Sequence, residues 1–401
     1  PAEDAIRRLP DAQIWQLRTE GRKKLIGHMR KRYARQLASE GRNSVDTSSL
    51  FDANILTLGF ARRFATYKRP NLLLHDPERL VRLLSDPQRP VQLILAGKAH
   101  PKDLPGQALI QQWNEFLRRP EVCDCVVFLS DYDMLMTQEL VTGVDLWINT
   151  PRRPWEACGT SGMKVLVNGG LNLSELDGWW AEAYSPEVGW AIGDGKEHGE
   201  DPAWDAADAE ELYSLLEREV IPQFYERDQA GMPSKWLRRV RKSMARLTPQ
   251  FSAGRTIREY TTKYYLPASS RYRERASKES AIGASLVEWR HDIARHWDTV
   301  HFGAVDVQTR DGRHFFRVQV FSEVIAQEEL RVELYADPVQ GGEPVIEVMT
   351  LSGGNANASG ARSYSAEIPA TRPASDYTAR LRPYHQNASL PLEASEILWQ
   401  R

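Results

Sequence analysis

The sequence predicts an α/β fold, with a parallel sheet buried on both faces, followed by a small all-β sandwich. Three observations carry this. Between residues 54 and 150 short apolar runs alternate with helical stretches. Beyond Val300 the hydrophobic period switches to two. At 401 residues the chain also exceeds the size at which one core usually stops growing.

Residues 12–40 read as one amphipathic helix, with Ile14, Leu17, Leu25, Met29, Tyr33 and Leu37 on its apolar face and a densely basic opposite face. Residues 55–60, 91–96, 126–129 and 146–149 are strand candidates. Apolar runs of this length between helices suit strands covered on both faces. The stretch 179–201, rich in glycine and acidic residues, reads as loop. Helices are expected at 206–226, 234–247, 252–265 and 284–298. Alternating runs at 316–321, 330–335, 345–349 and 377–381 then give antiparallel strands, separated by the glycine-rich stretch 352–360 and by proline-bearing turns. The expected divisions are a helical lead-in over 1–50, a sheet-bearing region over 51–283, and a linker helix with the sandwich over 284–401.

Bulk properties exclude several classes. Lys and Arg number 52 against 54 Asp and Glu, a balance that suggests neither nucleic acid nor an anionic membrane as partner. Three cysteines are too few and too unevenly spaced for a disulfide framework or a zinc site, so a reducing cytoplasm is expected. The chain opens on Pro-Ala-Glu-Asp and has no apolar run long enough to span a bilayer, so nothing is expected to target or anchor it. Twelve tryptophans suit sugar faces, and core packing accounts for them equally well.

Ligands of parallel sheets sit beyond the carboxyl ends of the strands. The loop after the first strand reads Gly59-Phe-Ala-Arg-Arg-Phe-Ala-Thr-Tyr-Lys-Arg69 and gathers Arg62, Arg63, Lys68 and Arg69 at the head of an expected helix. Guanidinium forks and helix N-termini both suit phosphate oxygens. A basic surface turn is the plainer alternative. A second loop, Trp155-Glu-Ala-Cys-Gly-Thr-Ser-Gly-Met-Lys-Val165 followed by Asn168-Gly-Gly170, has small residues that let backbone amides approach and cradle an anion. By itself it could be a tight strand-to-helix connection, with Lys164 a solvated helix residue.

The segment Glu156-Ala-Cys-Gly-Thr-Ser-Gly-Met-Lys164 with Asn168-Gly169 resembles the pyridoxal-phosphate lysine motif of the α-glucan (glycogen, starch, maltodextrin) phosphorylases. Arg62-Arg-Phe-Ala-Thr-Tyr-Lys-Arg69 resembles the same family's phosphate-binding segment, at the expected distance upstream. The likeness spans about residues 14–268, and the β-rich tail resembles that of the shorter bacterial members. It implies a GT-B fold of two Rossmann-like lobes, of which this chain would carry the C-terminal one.

By that resemblance Lys164 would hold pyridoxal 5'-phosphate as a Schiff base. Thr160, Ser161 and Gly162 would lie along the cofactor phosphate, with Arg62 and Tyr132 nearby. Arg63 and Lys68 would bind the substrate phosphate, and Glu156 with the backbone of Ala157, Cys158 and Gly159 would hold glucosyl hydroxyls. Cys158, Ser161 and Asp133 depart from the commoner serine, glycine and arginine, and the last leaves no counterpart for that arginine.

The implied reaction is reversible, retaining phosphorolysis of an α-1,4-glucan to glucose 1-phosphate, with the cofactor phosphate in the acid–base role. Two phosphates in contact repel by about 4 kcal/mol per pair of unit charges at about 4 Å and an effective dielectric of about 20, which the cationic loop would offset. The implied partners are the glucan, inorganic phosphate and the N-terminal lobe, without which this chain is expected to be inactive. A homo-oligomer is left open. So are two other readings: a nucleotide-sugar transferase of the same fold, disfavoured because Lys164 stands where its second glutamate belongs, and a non-catalytic glucan-binding fragment.

Overall fold

The computed structural model describes residues 2–42, 45–339, 342–352 and 361–400. Among these, β1 (Leu56–Ala61), β2 (Val91–Ala96), β3 (Val126–Leu129), β4 (Leu146–Asn149), β5 (Leu171–Glu175) and β6 (Gly189–Ile192) form one parallel sheet in the order β3-β2-β1-β4-β5-β6. Every residue of β1 to β5 is buried, as strands covered on both faces require. The order turns back at β1 and β4, which are neighbours. Their carboxyl ends flank the crevice where such sheets bind ligands. Both motif loops leave from these two ends.

The helix Asp11–Ser39 is fastened to this sheet by buried charge. Arg22 donates to the Asp145 carboxylate at 2.7 Å, and Arg18 approaches the same carboxylate at 3.5 Å. Arg18 also donates to the carbonyls of Thr142 at 2.6 Å, Gly143 at 3.1 Å and Asn168 at 2.8 Å. These lie at the ends of helices Met134–Gly143 and Thr160–Val167, where carbonyls lack intrahelical donors and the dipole favours a cation. One guanidinium thus closes two helices. The expected lead-in over 1–50 is therefore integral to the first compact unit, which runs from Pro1 to Ile257.

Three differences from the sequence reading have physical causes. The stretch read as loop over 179–201 contains the helix Gly178–Ala183 and strand β6. Trp179 and Trp180 are buried there, and Trp180 Nε1 donates to Trp190 O at 3.0 Å, so tryptophan packing overrides the polar composition. The cationic run heads no α-helix: residues Thr66–Lys68 make a single 3₁₀ turn that stops at Arg69, whose φ of 43° is left-handed. The expected helices at 206–226 and 252–265 both exist, each with a wide turn, Leu216–Val220 and Thr261–Tyr265. Pro222 and Pro267 follow these turns, and widening removes the clash of a proline ring with the carbonyl four residues back.

The second unit runs from Arg258 to Arg401. Its strands are β7 (His301–Arg310), β8 (Arg313–Phe321), β9 (Leu330–Ala336), β10 (Val345–Val348), β11 (Thr350–Leu351), β12 (Ala361–Pro369), β13 (Tyr377–Pro383) and β14 (Leu398–Trp399). They form two antiparallel sheets, β11-β12-β8-β7 and β10-β9-β13-β14. Phe316, Val318 and Val320 of β8 share one core with Val332 and Leu334 of β9, the sandwich arrangement the alternation predicts. Helix Ala281–His296 adds Leu286, Trp289 and Ile293 to that core. Arg275 pairs with Glu393 at 2.7 Å. Packing gives the chain two compact units, meeting in sequence after Ile257. Residues 353–360 of the expected glycine-rich connection lie outside the described residues. Among the described residues no helix is long and apolar enough to cross a membrane.

Candidate active site

Beyond β1 the chain runs on beside β2, with Arg62 N–H donating to Ala96 O at 3.1 Å and Phe64 N–H to Lys98 O at 2.9 Å. Phe64 is fully buried and meets Phe128 edge-on at 5.6 Å between ring centres. This anchor sends Arg62 and Arg63 to the crevice. Arg62 donates through one nitrogen to Asn149 Oδ1, at the end of β4, and through the other to Glu156 Oε2 at 2.8 Å. Lys68 Nζ reaches the same Glu156 oxygen, also at 2.8 Å. Arg63 is exposed, and its contact is with the Tyr67 hydroxyl at 3.3 Å. Lys68 also sits over the Tyr67 ring, 4.8 Å from its centre.

Electrostatics follow from this clustering. Burial opposes ionisation of Glu156, yet Lys68 and Arg62 together hold its carboxyl below the usual range. Burial pushes the Arg62 guanidinium down, against the pull of Glu156, and Tyr132 is within electrostatic reach of it. For Tyr67 burial again favours the neutral form, but Lys68 and Arg63 outweigh it and lower the phenol.

The loop bearing Glu156 is braced from β5. Glu156 N–H donates to Asp177 Oδ2 at 2.9 Å, and Trp179 N–H donates to Cys158 O at 3.1 Å. Gly178 between them has φ of 51°, and a Cβ there would lie 2.6 Å from Cys158 O; only glycine suits that turn. The loop ends at Gly159, left-handed with φ of 80°, which opens helix Thr160–Val167 without a side-chain cap. Ser161 Oγ accepts from Trp147 Nε1 at 3.2 Å. Gly162 packs so closely on Asn172 and Trp179 that a Cβ would lie 2.5 Å from Asn172 Oδ1. Lys164 stands one turn on, exposed, and forms no ion pair or side-chain hydrogen bond among the described residues.

A sequence profile of the Carbohydrate phosphorylase family matches residues 14–189, a span that contains both loops. Over 304 residues, 75% of this chain, the sequence is 42% identical to a glycogen phosphorylase of Mycobacterium tuberculosis. Residues 14–189 thus make a domain of the carbohydrate phosphorylase family. The chain is also 43% identical over 268 residues, 65% of its length, to a glycogen phosphorylase of Aquifex aeolicus. A maltodextrin phosphorylase of Thermococcus litoralis is 35% identical over 330 residues, 82% of this chain. The chain spans little more than a third of each of these phosphorylases, 35% of the first and 38% of the other two.

Of the residues the phosphorylase resemblance singled out, Arg62, Lys68 and Glu156 form one cluster, with Arg63 beside it through Tyr67. Ala157, Cys158 and Gly159 lie along the braced loop, and Thr160, Ser161 and Gly162 form the first helical turn. Tyr132 packs against the core formed by Met29, Leu129 and Met136. The neighbouring Asp133, a departure from the phosphorylase pattern, accepts from Met136 N–H at 2.8 Å and pairs with Arg32 at 2.6 Å, so it caps a helix.

Arg69 separates from the other three cations. It is buried among Glu175 at 2.8 Å, Asp208 at 2.6 Å and Asp205 at 3.0 Å, and donates to Thr150 O at 3.0 Å. It clamps the start of the second loop instead of facing the crevice. Burial first, then Asp208, pushes the Glu175 carboxyl up to about 8 against the pull of Arg69. A carboxyl raised in the folded state binds more protons there than in the unfolded chain, so stability falls as pH rises from about 4.5 towards about 8. Glu175→Gln is expected to remove up to about 1.4 kcal/mol per pH unit of that slope, measured as urea midpoints across the window. An unchanged slope would exclude Glu175 as its source.

Sequence reasoning passed over Asp177, Gly178 and Trp155. Trp155 is 56% exposed beside Glu156, with its ring centre 5.8 Å from that of Tyr67. The Asp177-Gly178 pair was available as a turn signal, but nothing local said which loop it would brace.

Proposed function

We propose that this chain is the cofactor-bearing, C-terminal lobe of a GT-B enzyme that phosphorolyses α-1,4-glucan to glucose 1-phosphate with retention of configuration. The observation that carries the reading is the convergence of Arg62, Arg63, Lys68 and Glu156 at the switch point of a β3-β2-β1-β4-β5-β6 sheet, beside a helix without a side-chain cap that bears Lys164, which has no ion pair among the described residues. Glucan, phosphate and the remaining lobe are the partners of the whole protein. The three free cysteines suit a reducing cytoplasm.

The residues present fit pyridoxal phosphate. The first amides of helix Thr160–Val167 have no intrahelical acceptors and no side-chain cap, which suits a phosphate. Lys164 offers an amine that pairs with no carboxylate among the described residues, and Tyr132 and Arg62 complete the set. When bound, this cofactor supplies an ionisable phosphate that can exchange a proton with inorganic phosphate. Arg63 and Lys68 hold the substrate phosphate and stabilise positive–negative charge separation as the glycosidic bond breaks. Glu156 and the backbone of Ala157, Cys158 and Gly159 orient glucosyl hydroxyls, and the Asp177-Gly178 brace fixes that loop before substrate arrives.

Calorimetric titration with inorganic phosphate tests the anion site. Lys68→Met and Arg63→Met are each expected to weaken binding about tenfold or more, since a hydrogen bond to a charged group is worth about 1.5–3 kcal/mol. Equal affinity in both variants and the parent chain would remove this loop from the phosphate site.

A further inference from the structure

Both cations nearest the crevice floor are already paired with one atom. Glu156 Oε2 accepts from Arg62 Nη2 and from Lys68 Nζ, each at 2.8 Å. Arg62 cannot turn away freely, because its other nitrogen is held by Asn149, itself fixed to Ser174 Oγ at 3.0 Å. Lys68 is 9% exposed and lies against the Tyr67 ring. The cations are therefore set in place, and the carboxylate stands where an anion binding to them would stand.

We propose that Glu156 is an internal plug of the phosphate site, and that inorganic phosphate enters by displacing its carboxylate from Lys68, which shares that carboxylate with Arg62. This rests on reading the cationic loop as the phosphate site. The backbone on either side of the plug is fixed, by Asp177 at Glu156 N–H and by Trp179 at Cys158 O, so the exchange needs only side-chain rotation. The side chain of Glu156 is 14% exposed, enough for the carboxylate to swing out without unpacking a core. Charge counting favours the exchange. Arg62 and Lys68 hold one carboxylate before it, and a phosphate carrying more than one negative charge can add Arg63 after it. The released carboxylate becomes free for the hydroxyls of a glucosyl unit, so the anion prepares the sugar contact.

An occupied cation pair lowers the apparent affinity of any competing anion, and a carboxylate left nearby repels the one that binds. Removing its charge should act on both. Isothermal titration of the full chain with inorganic phosphate is the test, with Glu156→Gln as an isosteric, uncharged variant. Its phosphate Kd is expected to be about tenfold tighter or better than that of the parent chain. Glu156→Asp, too short to reach both cations, is expected to bind more tightly than the parent chain as well, and it serves if the Gln variant does not fold. Adding Lys68→Met to Glu156→Gln should abolish the gain. Binding by the variant alone, with none measurable in the parent, would equally support the plug. Equal or weaker binding by Glu156→Gln, where Lys68→Met still weakens the parent, would overturn the plug and leave the phosphate site standing. No phosphate binding by any of these chains would overturn the phosphate site and the plug together.

Discussion

Lys164→Met is expected to leave a folded chain that no longer holds pyridoxal phosphate covalently. Incubation of the parent chain with the cofactor should give a visible absorbance band, and borohydride reduction should fix the label to the peptide containing Lys164. The variant should show neither. The fold should not register the change, because the side chain is exposed, makes no ion pair or side-chain hydrogen bond among the described residues, and sits in helix Thr160–Val167, where methionine is a good helix former. Surface substitutions of this kind usually shift stability by no more than about 0.5 kcal/mol. Label recovered on another lysine would reassign the cofactor and with it the roles of Thr160, Ser161 and Gly162.

Asp145→Ala is expected to cost about 3–5 kcal/mol in the first unit, the range for leaving a buried charge without its partner. Asp145 is 1% exposed, as is Arg18, and Arg22 is fully buried. The carboxylate takes Arg22 at 2.7 Å and Thr57 N–H at 3.1 Å, so the variant strands a guanidinium and a strand amide at once. Urea unfolding followed by tryptophan fluorescence reads the loss, since Trp147 and Trp113 lie buried in this unit. Arg18 keeps its helix-end carbonyls, so the double variant with Arg22→Met should recover part of the stability. No recovery would mean that the stranded charge is not the source of the cost.

Each prediction draws on a different reach of the sequence. The lysine was legible through its motif: the glycine-rich loop by itself could be a tight connection, and the resemblance of residues 156–164 to the phosphorylase lysine motif is what singles Lys164 out. The strands were legible too, because a run such as residues 91–96 is apolar throughout and short. Strand β6 was not. Its flanking glycines and acidic residues describe a loop, and only the burial of Trp180 against Trp190 makes it an edge strand. The basic loop was half legible. Four cations in eight residues raise the expectation of an anion site, yet the left-handed turn at Arg69 throws that side chain to the opposite side, into carboxylates supplied by Glu175, Asp205 and Asp208.

What the sequence determined alone was therefore the kind of most of the elements it placed, the two motif loops and the family they resemble. These depend on periodicity, turn chemistry and the spacing of neighbours, all of which act over a few residues. Tertiary structure alone decided which cations face the crevice, what occupies them and what holds the loop of Glu156 in place. Lys68 meets Glu156 across 88 residues and Arg69 meets Asp208 across 139. Two adjacent cations thus acquire opposite duties, because Coulomb attraction and burial act through space while a sequence pattern records only order along the chain.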